Sequence, residues 1–204
     1  MPIVDYEGKV YNTVQIGNQC WLKENLNVGL MIDGRSEQKN NNIKEKYCYN
    51  DNESNCATKG GFYQWAEAIQ YQNGATNSTE LLPAFTGHLQ GICPTGWHIP
   101  SIEEFETLST SSTNNNNTST LKAKGQGTGS GSSVNTGFSA LLSGTRSING
   151  NFDYLNNSTY LWCSSEYNAT TARYHYLRFY SNNSYFGKDN KQNGFSVRCL
   201  KDNL

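Results

Sequence analysis

Six cysteines stand at positions 20, 48, 56, 93, 163 and 199 of a 204-residue chain, and they restrict its folding more than any other feature. Their number is even, and no two have the CxxC spacing of a zinc knuckle or a thioredoxin-like motif. His88, His98 and His175 lie far apart in the sequence with no HxxxH pair, so no metal site and no cofactor are expected. Disulfide bridges account for the cysteines better than six buried thiols do, and bridges form in oxidising compartments. The expected location is therefore extracellular, at a cell surface or on a virion. The opening Met1 to Tyr6 has neither the basic nor the apolar region of a secretory leader, so no signal peptide is expected in this chain. No apolar run approaches the ~20 residues that span a bilayer, which argues against membrane insertion.

Mean hydropathy is -0.70 and only 35% of residues are hydrophobic, which would suggest disorder if charge were the cause. Charged residues are 16% and the net charge is -1, so self-repulsion does not hold the chain open. The polarity comes from Asn, Ser, Thr and Gly, while 13 Tyr, 8 Phe and 4 Trp provide large buriable surfaces. A folded domain with long polar loops follows. Near-zero net charge leaves no electrostatic footprint for nucleic acid.

Lys9 to Ile16 alternates apolar and polar residues, Gly17-Asn18 turns the chain, and Cys20-Trp21-Leu22 continues as a second strand of a hairpin. Asp33 to Lys46 reads as a polar loop, and Tyr49 to Asn55 as a short closed turn between Cys48 and Cys56. Phe62, Trp65, Ala66 and Ile69 have the spacing of a buried helical stripe within 62–71. A second helix has a sharper start: Ser101 and Glu104 form a capping box ahead of Ile102, Phe105 and Leu108. Glu103, Glu104 and Glu106 fall on its solvated side. Ser109 to Ser133 is low in complexity and reads as a flexible polar loop whose trimming costs little. Strands return at Phe138 to Leu142, Ser143 to Ile148, Tyr160 to Ser164, Arg173 to Tyr180 and Gly194 to Leu200. The expected fold class is α+β, a single domain over 1–204 with two helices and a strand-rich second half. Trp21, Trp65, Trp97, Phe138 and Val197 are its expected core.

Several blocks carry a family resemblance. Asp5 to Gly17, Trp21 to Asn27, Tyr47 to Asp51, Cys93-Pro94-Thr95-Gly96-Trp97-His98-Ile99-Pro100-Ser101, Gly137 to Leu141 and Gly194 to Asp202 resemble, in order, the Fibrobacter succinogenes major paralogous domain family. The resemblance implies a C-type-lectin-like fold with paired chain ends, and a relation to the variable proteins of diversity-generating retroelements. It implies the bridges Cys48–Cys56 and Cys93–Cys199, which leaves Cys20 and Cys163, at positions where the family carries other residues, for each other.

Glu166 to Gln192 is dense in Tyr, Asn, Ser, Arg and His, the palette of antibody paratopes. Randomised adenines in an Asn codon such as AAC would yield much the same mixture. The expected ligand-binding residues are Tyr154, Tyr167, Asn168, Arg173, Tyr174, His175, Tyr176, Arg178, Tyr180, Asn182, Asn183 and Tyr185. Tyr174, Tyr176, Arg178 and Tyr180 alternate with Arg173, His175, Leu177 and Phe179, so one set faces the core. Leu177 and Phe179 favour the second set, although the tyrosines suit a core equally well. The expected function is display of a C-terminal recognition surface for a protein or other macromolecular partner, without catalysis. The alternatives are a surface or adhesin domain without hypervariability, and a thiol enzyme related to formylglycine-generating enzymes, using Cys163 or Cys199. His98 reads as structural. The Glu-Pro-Asn or Gln-Pro-Asp loop of calcium-dependent sugar binders is absent, so the fold alone does not imply a carbohydrate ligand.

Overall fold

The computed structural model describes residues 3–112, 118–130 and 136–202. Strands β1 (Val4–Tyr6) and β2 (Lys9–Tyr11) pair across Glu7-Gly8, and β3 (Thr13–Ile16) pairs with β4 (Gln19–Leu22) across Gly17-Asn18, the expected hairpin. A small parallel pair, β5 (Leu30–Met31) and β6 (Glu45–Lys46), precedes helix α1 (Glu53–Lys59) and the single turn α2 (Trp65–Ala68). Strand β7 (Trp97–His98) leads into α3 (Ile102–Ser111). The second half holds β8 (Thr145–Arg146), β9 (Phe152–Asp153), β10 (Ser158–Asn168), β11 (Thr171–Arg178), β12 (Ser184–Asn190) and β13 (Leu200–Lys201). The chain is α+β.

Two sheets organise it. In the order β3-β4-β13-β7, the last strand enters between the hairpin and β7, with Leu200 opposite both Trp21 and His98. The chain ends therefore meet through β4. The other sheet is the meander β10-β11-β12. Strand alternation makes β4 and β10 contribute to two separate cores. Leu22 and Trp162 join Tyr63, Trp65, Trp97, Phe195 and Val197 in one, while Trp21, Leu161 and Cys163 join Phe105, Leu108 and Phe138 in the other. All five expected core residues are buried.

That same alternation decides the cysteines. Cys48–Cys56 and Cys93–Cys199 are bridged, the second across a sequence separation of 106. Such a long loop gives a bridge its largest effect on the unfolded chain, about 4–5 kcal/mol in the entropy treatment. The expected third bridge does not form: Cys20 and Cys163 are free thiols. Cys20 lies against the Leu22 side of β4, whereas Cys163 is buried in the core on the Trp21 side.

The capping box of α3 forms as expected, with the Ser101 hydroxyl accepting from the Glu104 amide and the Glu104 carboxylate accepting from the Ser101 amide. Ile102, Phe105 and Leu108 form its buried face. The stripe at 62–71 gives only the turn α2, because Phe62 and Tyr63 are extended and pair with Tyr47 and Phe195. The closed turn expected at Tyr49 to Asn55 forms a 3-10 turn at Tyr49–Asp51 and then runs into α1, whose N-cap Asn52 accepts from the Ser54 amide. Phe138 to Leu142 is not a strand; only Ala140 bridges, to Lys122.

The low-complexity segment differs most from expectation. Ser109 to Ser111 extend α3, 113–117 and 131–135 lie outside the described residues, and 118–130 is packed. Thr118 to Lys122 are buried. The Lys122 ammonium donates to the carbonyls of Thr128, Arg178 and Ser181 at 2.7, 3.0 and 2.9 Å. Burial pushes its pKa down to about 8. At Gly127, with φ +89°, an added Cβ would stand 2.2 Å from the Phe179 carbonyl oxygen. Polar composition has here been offset by one buried cation that gathers loop carbonyls. Lys122→Met should therefore lower stability by on the order of 3 kcal/mol, since several buried carbonyls lose their donor. Gly127→Ala should also destabilise, while Gly125→Ala, whose Cβ meets nothing within 4 Å, should cost less than Gly127→Ala. Urea denaturation of the three variants measures this; equal, small losses would mean that the segment does not pack.

Candidate recognition face and histidine cluster

Cross-strand register builds the main candidate site. Tyr160 lies opposite Tyr176, and Tyr176 opposite Tyr185, so one face of the β10-β11-β12 meander carries three aligned tyrosines. Their rings stack at centroid distances of 5.4 and 5.0 Å, with interplanar angles of 9° and 26°. Tyr154, 56% exposed, extends the row at 6.2 Å from Tyr160. Tyr174 meets Tyr160 edge-on, and Phe195 lies against both at 5.3 and 5.0 Å. Gly187, opposite Tyr174, leaves room for that ring; a Cβ there would come within 2.6 Å of it. The exposed Arg178 guanidinium sits 5.7 Å from the Tyr176 ring. The result is a half-exposed aromatic surface in which Tyr160 and Tyr174 also pack on the core and the Tyr185 hydroxyl bonds Ser181 at 2.9 Å.

The sequence-predicted residues divide into groups. Tyr154, Tyr174, Tyr176, Arg178 and Tyr185 share this face, with Tyr160 the member that sequence reasoning missed. Tyr167 and Arg173 gather elsewhere, together with Lys188, whose ammonium is 3.4 Å from the Tyr167 ring centre. The hydrogen bond and charge of Lys188, then the charge of Arg173, lower the Tyr167 pKa. Asn168 turns β10 into β11 by accepting from the Thr170 and Thr171 amides. Tyr180, Asn182 and Asn183 sit exposed at the following turn, Tyr180 at 81%.

His175 does not belong to a surface. It is fully buried on the opposite side of β11 with Leu177, stacked on Phe105 at 4.9 Å and near Phe186. Neither ring nitrogen has a hydrogen-bond partner among the described residues. Burial, with a smaller contribution from the Arg198 charge, pushes its pKa down to about 3. The register with Leu177 and Phe179 inward is thus the one adopted.

A second cluster has no counterpart in the sequence reading. His88 and His98, ten residues apart, stack at 4.0 Å. The His98 Nδ1 lies 2.6 Å from Asp202 and its Nε2 2.9 Å from Glu104. Glu104 is therefore not solvated as expected, because β7 and the capping box turn it onto His98. Burial alone would lower the His98 pKa, but the bonds and charges of Glu104 and Asp202 outweigh it and hold it above the ordinary value. Of the candidate thiols, Cys163 is wholly buried and burial pushes its pKa well up, while Cys199 is bridged. A cleft of about 390 Å³ has Lys9, Lys23, Lys59 and Arg198 in its walls and shares no residue with the tyrosine face. Among the described residues no helix is long and apolar enough to cross a membrane.

The architecture is that of an α+β domain with two disulfides, which suit an oxidising compartment. Its sequence matches the Fibrobacter succinogenes major domain over residues 14–201. The chain belongs to that family. Neither the curated proteins nor the solved structures include a match to it.

The inward imidazole makes stability depend on acid. His175 has a folded pKa below its unfolded value of about 6.5, so the unfolded chain takes up the proton first as pH falls. Its contribution is complete above about pH 6.5 and declines from there toward pH 3. His175→Phe should remove this term, so that the variant gains about 2 kcal/mol relative to the parent between pH 7 and pH 5. Parallel denaturation at the two pH values measures it; an unchanged difference would place the His175 ring in contact with water.

Proposed function

We propose that this domain is an extracellular binding module of C-type-lectin-like type, whose tyrosine face recognises a macromolecular partner without metal or catalysis at that face. The observation that carries the reading is the continuous row Tyr154, Tyr160, Tyr176 and Tyr185, flanked by Tyr174 and Arg178. Tyrosines supply large contact area at low entropy cost, and their hydroxyls adapt to polar partners. Exposed tyrosines and arginines are also the residues that dominate binding energies at protein interfaces. Beneath them Trp162 and Phe195, in the core that also holds the Cys93–Cys199 bridge, supply the base on which Tyr160 and Tyr174 rest. A scaffold so divided suits the variable proteins of diversity-generating retroelements, in which the outward set changes and the inward set stays. The buried Cys163 thiol and the bridged Cys199 are poor nucleophiles, which weighs against the thiol-enzyme alternative.

A display library tests this. With Tyr154, Tyr160, Tyr174, Tyr176, Arg178 and Tyr185 randomised together to Tyr, Ser, Asn, Asp and His, most members should stay folded. Selection against hen egg-white lysozyme as an arbitrary soluble protein should yield binders of micromolar affinity or better. Loss of folding in most members would make these tyrosines core residues. A folded library without binders would remove the recognition role.

A further inference from the structure

We propose that His88, His98 and Asp202 hold one transition-metal cation of the zinc class, with Glu104 as the carboxylate that orients His98. Their donor atoms already lie within 4.8 Å of one another, although they come from the loop after α2, from β7 and from the residue following β13. The His88 Nδ1 is 3.6 Å from the Asp202 carboxylate. Ligands at ordinary zinc bond lengths of roughly 2.0–2.1 Å in a tetrahedral site stand roughly 3.3 Å apart, so small side-chain movements close the geometry.

The surroundings favour a metal over a simple hydrogen-bonded histidine. His98 alone would satisfy both carboxylates, and it needs no second imidazole. Yet His88, 42% exposed, is held face to face with it, and its two nitrogens point at the same two carboxylates. Two carboxylates and two neutral imidazoles carry a net charge of -2, which one divalent cation neutralises. Two nitrogen donors beside oxygen select zinc, cobalt, nickel or copper over calcium and magnesium.

Glu104 completes the arrangement from behind. Its other oxygen accepts from the Ser101 amide at 2.7 Å, which fixes the carboxylate against His98. A proton on His98 Nε2 directed at Glu104 leaves Nδ1 free to coordinate, the arrangement that tunes histidine ligands in metal sites. Three protein donors leave a fourth position for water. The bound ion would tie the loop at 81–89, which walls a cleft of about 360 Å³ together with Ser101 and Glu166, to the end of the last strand.

Untagged full-length protein titrated with Co(II) should develop the intense visible bands of a four-coordinate ion, and equilibrium dialysis should find one Zn(II) per chain. His88→Asn and Asp202→Asn should each reduce affinity at least 100-fold. Both residues are partly exposed, and circular dichroism should confirm that the variants fold. Glu104→Gln should keep the stoichiometry and weaken binding about tenfold or more. Absence of any Co(II) spectrum at millimolar metal would overturn the site, as would undiminished binding in His88→Asn or Asp202→Asn. Unchanged affinity in Glu104→Gln would remove the orienting role of that residue. The tyrosine-face library reports on the proposed recognition role independently, since none of these four residues lies in it.

Discussion

Buried cations bonded to loop carbonyls are the interaction on which this structure depends. Lys122, Arg146, Lys191 and Arg198 are all buried, and each gathers oxygen acceptors from segments distant in sequence. Arg146 donates to the carbonyls of Gly34 and Gln192 at 2.7 and 2.8 Å and lies over the Tyr47 ring. Lys191 donates to Thr79 and Ala169 carbonyls and to the Glu166 carboxylate, and lies over Trp65. Arg198 bonds Asn25 and the Phe138 carbonyl, and burial pushes its pKa down to about 9. Removing an ion from water is costly unless its donors are well used, and here oriented carbonyls and aromatic faces use them. A chain with so few charged residues thus places some of them in its interior.

These cations explain how long polar loops become part of a fold. Loop backbone must bond something once it leaves solvent. Among the described residues, regular secondary structure is scarce between β4 and β7 and again between α3 and β10, so ladders supply few of the partners. Lys122 serves the 118–130 segment and the β11–β12 turn together, which connects the base of the low-complexity loop to the end of the tyrosine face. Lys191 does the same for the loop at 79–81 and the β10–β11 turn.

Local signals were readable in the sequence, and distant ones were not. The capping box at Ser101 and the Gly17-Asn18 turn act over a few residues and appear in the fold, whereas the alternation expected over Lys9 to Ile16 breaks at Asn12 into β2 and β3 and leaves Val10 exposed. The helix expected from Phe62 failed because Tyr47 and Phe195, far away, claim the backbone of Phe62 and Tyr63. The pairing of Cys20 with Cys163 failed because alternation within β4 and β10 sets them in different cores. Leu177 and Phe179 indicate the register that β11 adopts, whereas the paratope-like composition of the segment includes His175, which alternation sets inward with Leu177. Tyr160 entered the candidate face only through its place opposite Tyr176. The closeness of His88 and His98 depends on a loop whose path no spacing rule describes.

The proposed division of β11 sets Tyr174, Tyr176 and Arg178 on the recognition side, where Ala172 and part of Tyr174 still pack into a core, against the buried His175 and Leu177 on the other. It is tested most directly by sequencing the segment encoding residues 154–190 in many isolates, with any near-copy of it in neighbouring DNA. The account predicts substitutions concentrated at Tyr154, Tyr160, Tyr174, Tyr176, Arg178 and Tyr185, with Trp162, His175, Leu177 and Lys191 unchanged. Substitutions spread evenly over both faces of β11, or a tyrosine row as constant as the core, would contradict it.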